Sequence, residues 1–180
     1  MAQFQQRSTF VTVVAWIFIA LSGFGTVIAA LQNVMLFTVF RSPEATQALQ
    51  APPPPGTPPA AAFMASHFYL FFIAFLVISA FTLISSVGLL KRWNWARLSF
   101  IGLMALGIAW NLGGLVLQFG IFSSMQEQFA ASALHDGQEM QPFFIAIVVV
   151  SVLFAVGFSV LFAWIAKRLH SPAIVSEFRQ

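Results

Sequence analysis

The sequence predicts an all-α protein: an integral membrane four-helix bundle with both termini cytoplasmic. Three observations carry this. Of 180 residues, 59% are hydrophobic and only 7% are charged, against about 25% charged in an average soluble domain. Four long apolar stretches carry no Asp, Glu, Lys or Arg in their interiors. The basic residues gather beside the ends of those stretches, mostly on one side. So few charges cannot make a water-facing surface, whereas a bilayer requires none in its core.

The length suits one transmembrane domain, 1–180. The first span is expected over about 9–40, uncharged from Thr9 to Phe40. As a helix it would run about 48 Å, longer than the roughly 30 Å hydrocarbon core. About two thirds should therefore lie in the bilayer, with Gln32 and Asn33 at the outer interface. Val27-Ile28-Ala29 resembles a signal-peptidase site, but the apolar run is too long for a secretory h-region, so a retained span is expected. Residues 41–66 form an outer loop. Its Pro52–Pro55 run, followed by Gly56, Pro58 and Pro59, excludes helix or sheet interior and favours polyproline II or disorder. It is read as a spacer, with partner docking as the alternative.

The second span is expected over about 67–90, rich in phenylalanine. The basic hinge Leu89-Leu-Lys-Arg-Trp-Asn-Trp-Ala-Arg97 follows. The third span covers about 96–122. Residues 123–141 form a second outer loop, whose first half can continue the helix until Gly137 breaks it. The fourth span, about 142–166, opens on Pro142, which suits a first helical turn. Residues 167–180 are expected to be an interfacial segment. Ser171-Pro172 reads as an N-cap and first helical position, and Ile174, Val175 and Phe178 would share a face lying on the membrane surface.

Four spans place both termini and the hinge on one side. Arg7, Lys91, Arg92, Arg97, Lys167, Arg168 and Arg179 fall there, and only Arg41 falls opposite. Of the acids, Glu44, Glu127, Asp136 and Glu139 fall opposite, and Glu177 alone lies with the basic set. The positive-inside rule then assigns termini and hinge to the cytoplasm. Trp16, Trp93, Trp95 and Trp164 fall near the same boundary, where indole is favoured. Lys91, Arg92, Arg97, Lys167, Arg168, Trp93 and Trp95 are accordingly read as lipid-head-group and topology anchors. The pI near 10.2 is explained the same way, and no nucleic-acid partner is expected.

Helix association in lipid relies on close packing of small residues. Such residues recur as Ser22, Thr26 and Ala30; as Ser79, Thr82 and Ser86; as Ala105, Ala109 and Gly113; and as Ser151, Ala155, Ser159 and Ala163. They should face neighbouring helices, within the bundle or in another chain.

Chemistry is nearly absent. Without intramembrane charge, a pump or ion-coupled transporter is disfavoured. The absence of cysteine excludes disulfides, thiolate metal sites and cysteine nucleophiles. No nucleotide loop, zinc-helix motif or nucleophile elbow occurs. His135, Asp136 and Glu139 are too few for a convincing metal site, and only His67 touches a span, which disfavours haem. No catalytic, cofactor or metal residues are therefore assigned. Asn111, beside Trp110 and near Gly113 and Gly114, is the one strongly polar residue deep in the third span. It is read as an interhelical hydrogen bond or, alternatively, as a contact for a lipid or quinone head group.

The hinge Gly88–Arg97 and the tail residues Trp164, Lys167, Arg168, Ser171, Pro172, Glu177 and Phe178 resemble uncharacterised bacterial inner-membrane proteins of four spans. In these an LLKR-x-NWAR-like turn follows the second helix. The resemblance covers about a fifth of the chain. It implies a multi-pass protein of the bacterial inner (plasma) membrane and carries no activity. The expected function is that of a non-enzymatic accessory or scaffold subunit of a larger membrane assembly, with membrane lipids and other membrane chains as partners. The alternative is a lipid-, quinone- or small-solute-binding or permeation protein.

Overall fold

Lipid offers the backbone no hydrogen bonds, so apolar stretches must satisfy their own amides as helices. The computed structural model describes residues 8–39, 57, 59–131 and 137–178; for residues 39, 60–61, 121, 123–131 and 137–144 the backbone alone is described. The elements are α1 (Thr9–Val39), α2 (Pro59–Ser66), α3 (Phe68–Leu90), α4 (Asn94–Ala131), α5 (Gly137–Leu169) and α6 (Pro172–Val175), then a 3-10 turn, Ser176–Phe178. The fold is all-α, with no strand among the described residues. The stretches Thr9–Thr38, Phe68–Leu90, Asn94–Gly120 and Ile145–Leu169 are each long and apolar enough to cross a membrane.

Three helix ends fall inside the expected loops 41–66 and 123–141, one of them where the sequence lets the third span continue. The end of the first outer loop is helical from Pro59. Proline fits a first helical position, and three alanines with the highest helix propensity follow it. A turn at His67 separates this helix from α3. Helix α4 continues nine residues past 122, to Ala131, and α5 starts at Gly137 instead of Pro142. The proline run at 52–55, Arg7, Arg41, Glu44, Arg179 and the pair His135–Asp136 lie outside the described residues, as do the side chains of Glu127 and Glu139.

Helix α1 packs along α3, and α4 along α5, while α3 and α4 lie side by side beyond the hinge. Small residues make the first contact close: Ser22 and Ala29 of α1 and Ser79 and Ser86 of α3 are buried. The hydroxyls of Ser22, Thr26, Thr82 and Ser86 donate to carbonyls four residues back in their own helices, so lipid receives no unpaired donor from them. Asn33 is buried between the helices, near the outer end of α3. Its Nδ2 donates to the Ala29 carbonyl at 2.8 Å and, across to α3, to the Phe72 carbonyl at 3.0 Å. Between α4 and α5, Gln118 Nε2 donates to Ser151 Oγ at 3.1 Å. Phe162 covers Gly107, where a Cβ would come within 2.8 Å of the ring.

The main buried cluster lies at the hinge end. It joins Val11, Val14 and Ala15 of α1, Leu89 of α3, Phe100 and Met104 of α4, Ile165 and Leu169 of α5, and Ile174 and Phe178 of the tail. Four helices and the tail thus share one core beside the basic turn.

Candidate functional site

The hinge is built as a helix stop. The Trp93 amide donates to the Gly88 carbonyl at 2.9 Å and the Arg92 amide to the Leu89 carbonyl at 3.1 Å. These are the paired bonds of a Schellman motif. The residue after the cap must then be left-handed, and Arg92 has φ 63°. Glycine is the usual occupant, and a side chain there costs on the order of 1 kcal/mol. The reversal brings the start of α4 against the end of α3. A Cβ on Gly88 would stand 2.6 Å from the Ala96 Cβ, so the turn needs glycine at that position.

The left-handed conformation accompanies an inward path for the Arg92 side chain. Its Nε lies 3.4 Å from Glu177 Oε2, and the two side chains are 14% and 11% exposed. Its Nη2 donates to the Ser8 carbonyl at 3.1 Å and to Thr12 Oγ1 at 3.3 Å. The Ser8 amide in turn donates to both Glu177 oxygens at 3.2 Å. Helix α1 has no acid in its own first turn; a carboxylate from the far end of the chain accepts at its entry, where the helix dipole favours negative charge. Arg97, 7% exposed, donates from Nη1 to the Leu169 carbonyl at 3.2 Å, at the end of α5, and from Nη2 to Asn94 Oδ1 at 3.2 Å. The guanidiniums of Arg92 and Arg97 lie 5.7 and 6.0 Å from the ring of Phe178, which is 2% exposed.

Two expectations meet these contacts. The apolar face of the tail is turned into the bundle's own core. Ser171 and Pro172 do start a short helix, but the 3-10 turn that follows directs Glu177 to Arg92 and Ser8 and buries Phe178 with Ile174 in the core. The Glu177 carboxylate supplies the counter-charge that the enclosed Arg92 needs. Arg92 and Arg97, expected at lipid head groups, are engaged inward by the tail and by helix carbonyls. Lys91, Trp93, Trp95, Lys167, Arg168 and Trp164 are exposed. Arg168 lies over Phe10 and Trp164 at 5.6 and 5.9 Å, joining α1 to α5 at the same end.

Asn111 lies on the α4 stripe that includes Met104, Gly107 and Gln118 and faces α5. It makes no side-chain hydrogen bond among the described residues. On α5, the Ser159 hydroxyl is buried without a partner. The intramembrane polar contact expected of Asn111 is made instead by Asn33 and by Gln118. Trp110 is 68% exposed and points away from any described helix. Among the described residues no three metal-ligating side chains come together.

Sequence reasoning missed the clasp between hinge and tail. Its signal was present: Glu177 is the one acid within the basic set, and an aromatic follows it. Hinge and tail, far apart in the sequence, pack together here. Fold and site define a class: a multi-pass helical membrane protein whose hinge end is closed by its own C-terminal segment. No protein family, no curated protein and no solved structure matches the chain.

Proposed function

We propose that the protein is a non-enzymatic accessory or scaffold subunit of a larger bacterial inner-membrane assembly, with hinge and both chain ends in the cytoplasm. The supporting observation is an uncovered face of α4. Ala105, Ala109 and Gly113 recur every four residues, all are exposed, and nothing lies within 4 Å of where a Gly113 Cβ would be. The other small-residue rows include residues buried within the chain: Ser22, Ser79, Ser86 and Ala155. A row of small side chains lets a second helix approach closely, and such approach is what drives association in lipid. Sidedness rests on the distribution of basic residues, and the bacterial inner membrane on the resemblance of hinge and tail.

The test is extraction in mild detergent, with identification of what co-migrates. The reading expects a stable complex with another membrane chain, lost in Ala109→Phe while α-helicity and monodispersity persist. A lone monomer, or a complex indifferent to Ala109→Phe, would contradict it.

A further inference from the structure

The hinge has a second face, turned away from the clasp, and we infer that it is a binding site for one anionic phospholipid. Of the three hinge cations, Arg92 and Arg97 are committed inward. Lys91 remains exposed, its ammonium 5.0 Å from the centre of the Trp93 ring. The rings of Trp93 and Trp95 lie 5.9 Å apart and both close over Gly88: a Cβ there would stand 3.3 Å from Trp93 and 3.5 Å from Trp95. Among the described side chains, the one acid at this end, Glu177, is engaged by Arg92 and Ser8, and Lys91 has no acidic partner among them.

A groove of about 410 Å³ lies between α3 and α4, beginning on α4 at Ser99, one turn beyond Trp95. Val77 and Phe81 line it on one side, on the helical stripe that leads to Gly88. Ser99, Gly102 and Leu106 line the other, on the stripe headed by Trp95. The spacings of four, three and four residues keep each stripe on one side of its helix. Val77 lies eleven residues before Gly88, about 16 Å along the axis, which is close to the depth of one leaflet of a roughly 30 Å core. An acyl chain lying in the groove therefore places its phosphate at the level of Lys91, Trp93 and Trp95. Gly102 keeps the groove open, having nothing within 4 Å of its missing Cβ. An exposed cation and two indole rings at the hinge, with an apolar groove reaching one leaflet's depth beneath them, select a phospholipid of net negative charge.

The test is native mass spectrometry of the full chain in detergent, with phosphatidylglycerol and phosphatidylcholine of matched chains. The wild type should retain phosphatidylglycerol over phosphatidylcholine by about fivefold, the factor expected for one cation near an anionic lipid. Lys91→Gln should bring that ratio to near one. Gly102→Phe, whose Cβ enters open space, should strip both lipids by filling the groove. Lys167→Gln, on another helix end, should leave the ratio unchanged. The site is refuted if Lys91→Gln keeps the preference, if Lys167→Gln abolishes it instead, or if Gly102→Phe, verified as folded by circular dichroism, retains lipid as the wild type does.

Discussion

Replacing Glu177 by Gln removes one charge from the clasp at nearly constant shape, and the structure sets the size of the effect. The Arg92 and Glu177 side chains are 14% and 11% exposed, so water cannot stand in for the lost partner. Removing one member of a buried pair costs about 3–5 kcal/mol. Arg92 keeps its donations to the Ser8 carbonyl and Thr12 and its place over Phe178. A glutamine oxygen can still accept from the Ser8 amide. Those retained contacts bring the expected loss to about 2–3 kcal/mol, which multiplies the undocked fraction of the tail by about 30 to 150. Hydrogen–deuterium exchange reads this directly, as faster exchange across 172–178 by that factor while the α1–α3 interface near Asn33 stays protected. In a cycle with Arg92→Gln, the two losses should fall short of additivity by about 1–3 kcal/mol. Tail exchange within about threefold of wild type would refute the carboxylate's role as keystone, because that corresponds to less than about 1 kcal/mol.

Three further outcomes follow from the packing. Phe178→Ala should release the tail more completely than Glu177→Gln, by about 3–5 kcal/mol for a fully buried ring, read by the same exchange experiment. Gly88→Ala should destabilise by about 1–3 kcal/mol, since its Cβ meets Ala96 at 2.6 Å, whereas Gly102→Ala should fold normally; unfolding midpoints in a denaturing detergent titration compare them. Asn33→Leu should cost about 1 kcal/mol by removing the bond to the Phe72 carbonyl. Asn111→Leu, with no described hydrogen bond to lose, should stay within about 0.5 kcal/mol in the same titration.

The helices were legible because freedom from charge over a bilayer's length is a property of the sequence itself: Thr9–Thr38 and Phe68–Leu90 can be read without knowing any partner. The fate of a single polar residue is different. Lys91 and Arg92 are adjacent and alike in composition, yet one faces outward and the other inward. What separates them is the left-handed turn at Arg92 and an acid that only the fold brings near. Gln32 and Asn33 part in the same way, since 100° of helix rotation leaves one exposed and turns the other toward α3. The apolar tail residues Ile174 and Phe178 carried a correct amphipathic pattern. The pattern shows that one face seeks an apolar surface, and it does not say whether that surface is lipid or the bundle's own open end. Glu177, a lone acid among basic residues, was the feature that favoured the bundle.

Because the chain contains no cysteine, single cysteines report membrane side and contact without background. Lys91→Cys in the hinge, His170→Cys and Ser176→Cys in the tail, and Thr57→Cys beyond α1 can be labelled with a membrane-impermeant maleimide in right-side-out and inverted membrane vesicles. The hinge and tail positions should all react in inverted vesicles only, and Thr57→Cys in right-side-out vesicles only. If hinge and tail react from opposite sides, Arg92 cannot hold Glu177, and neither the four-span arrangement nor the closed hinge end survives.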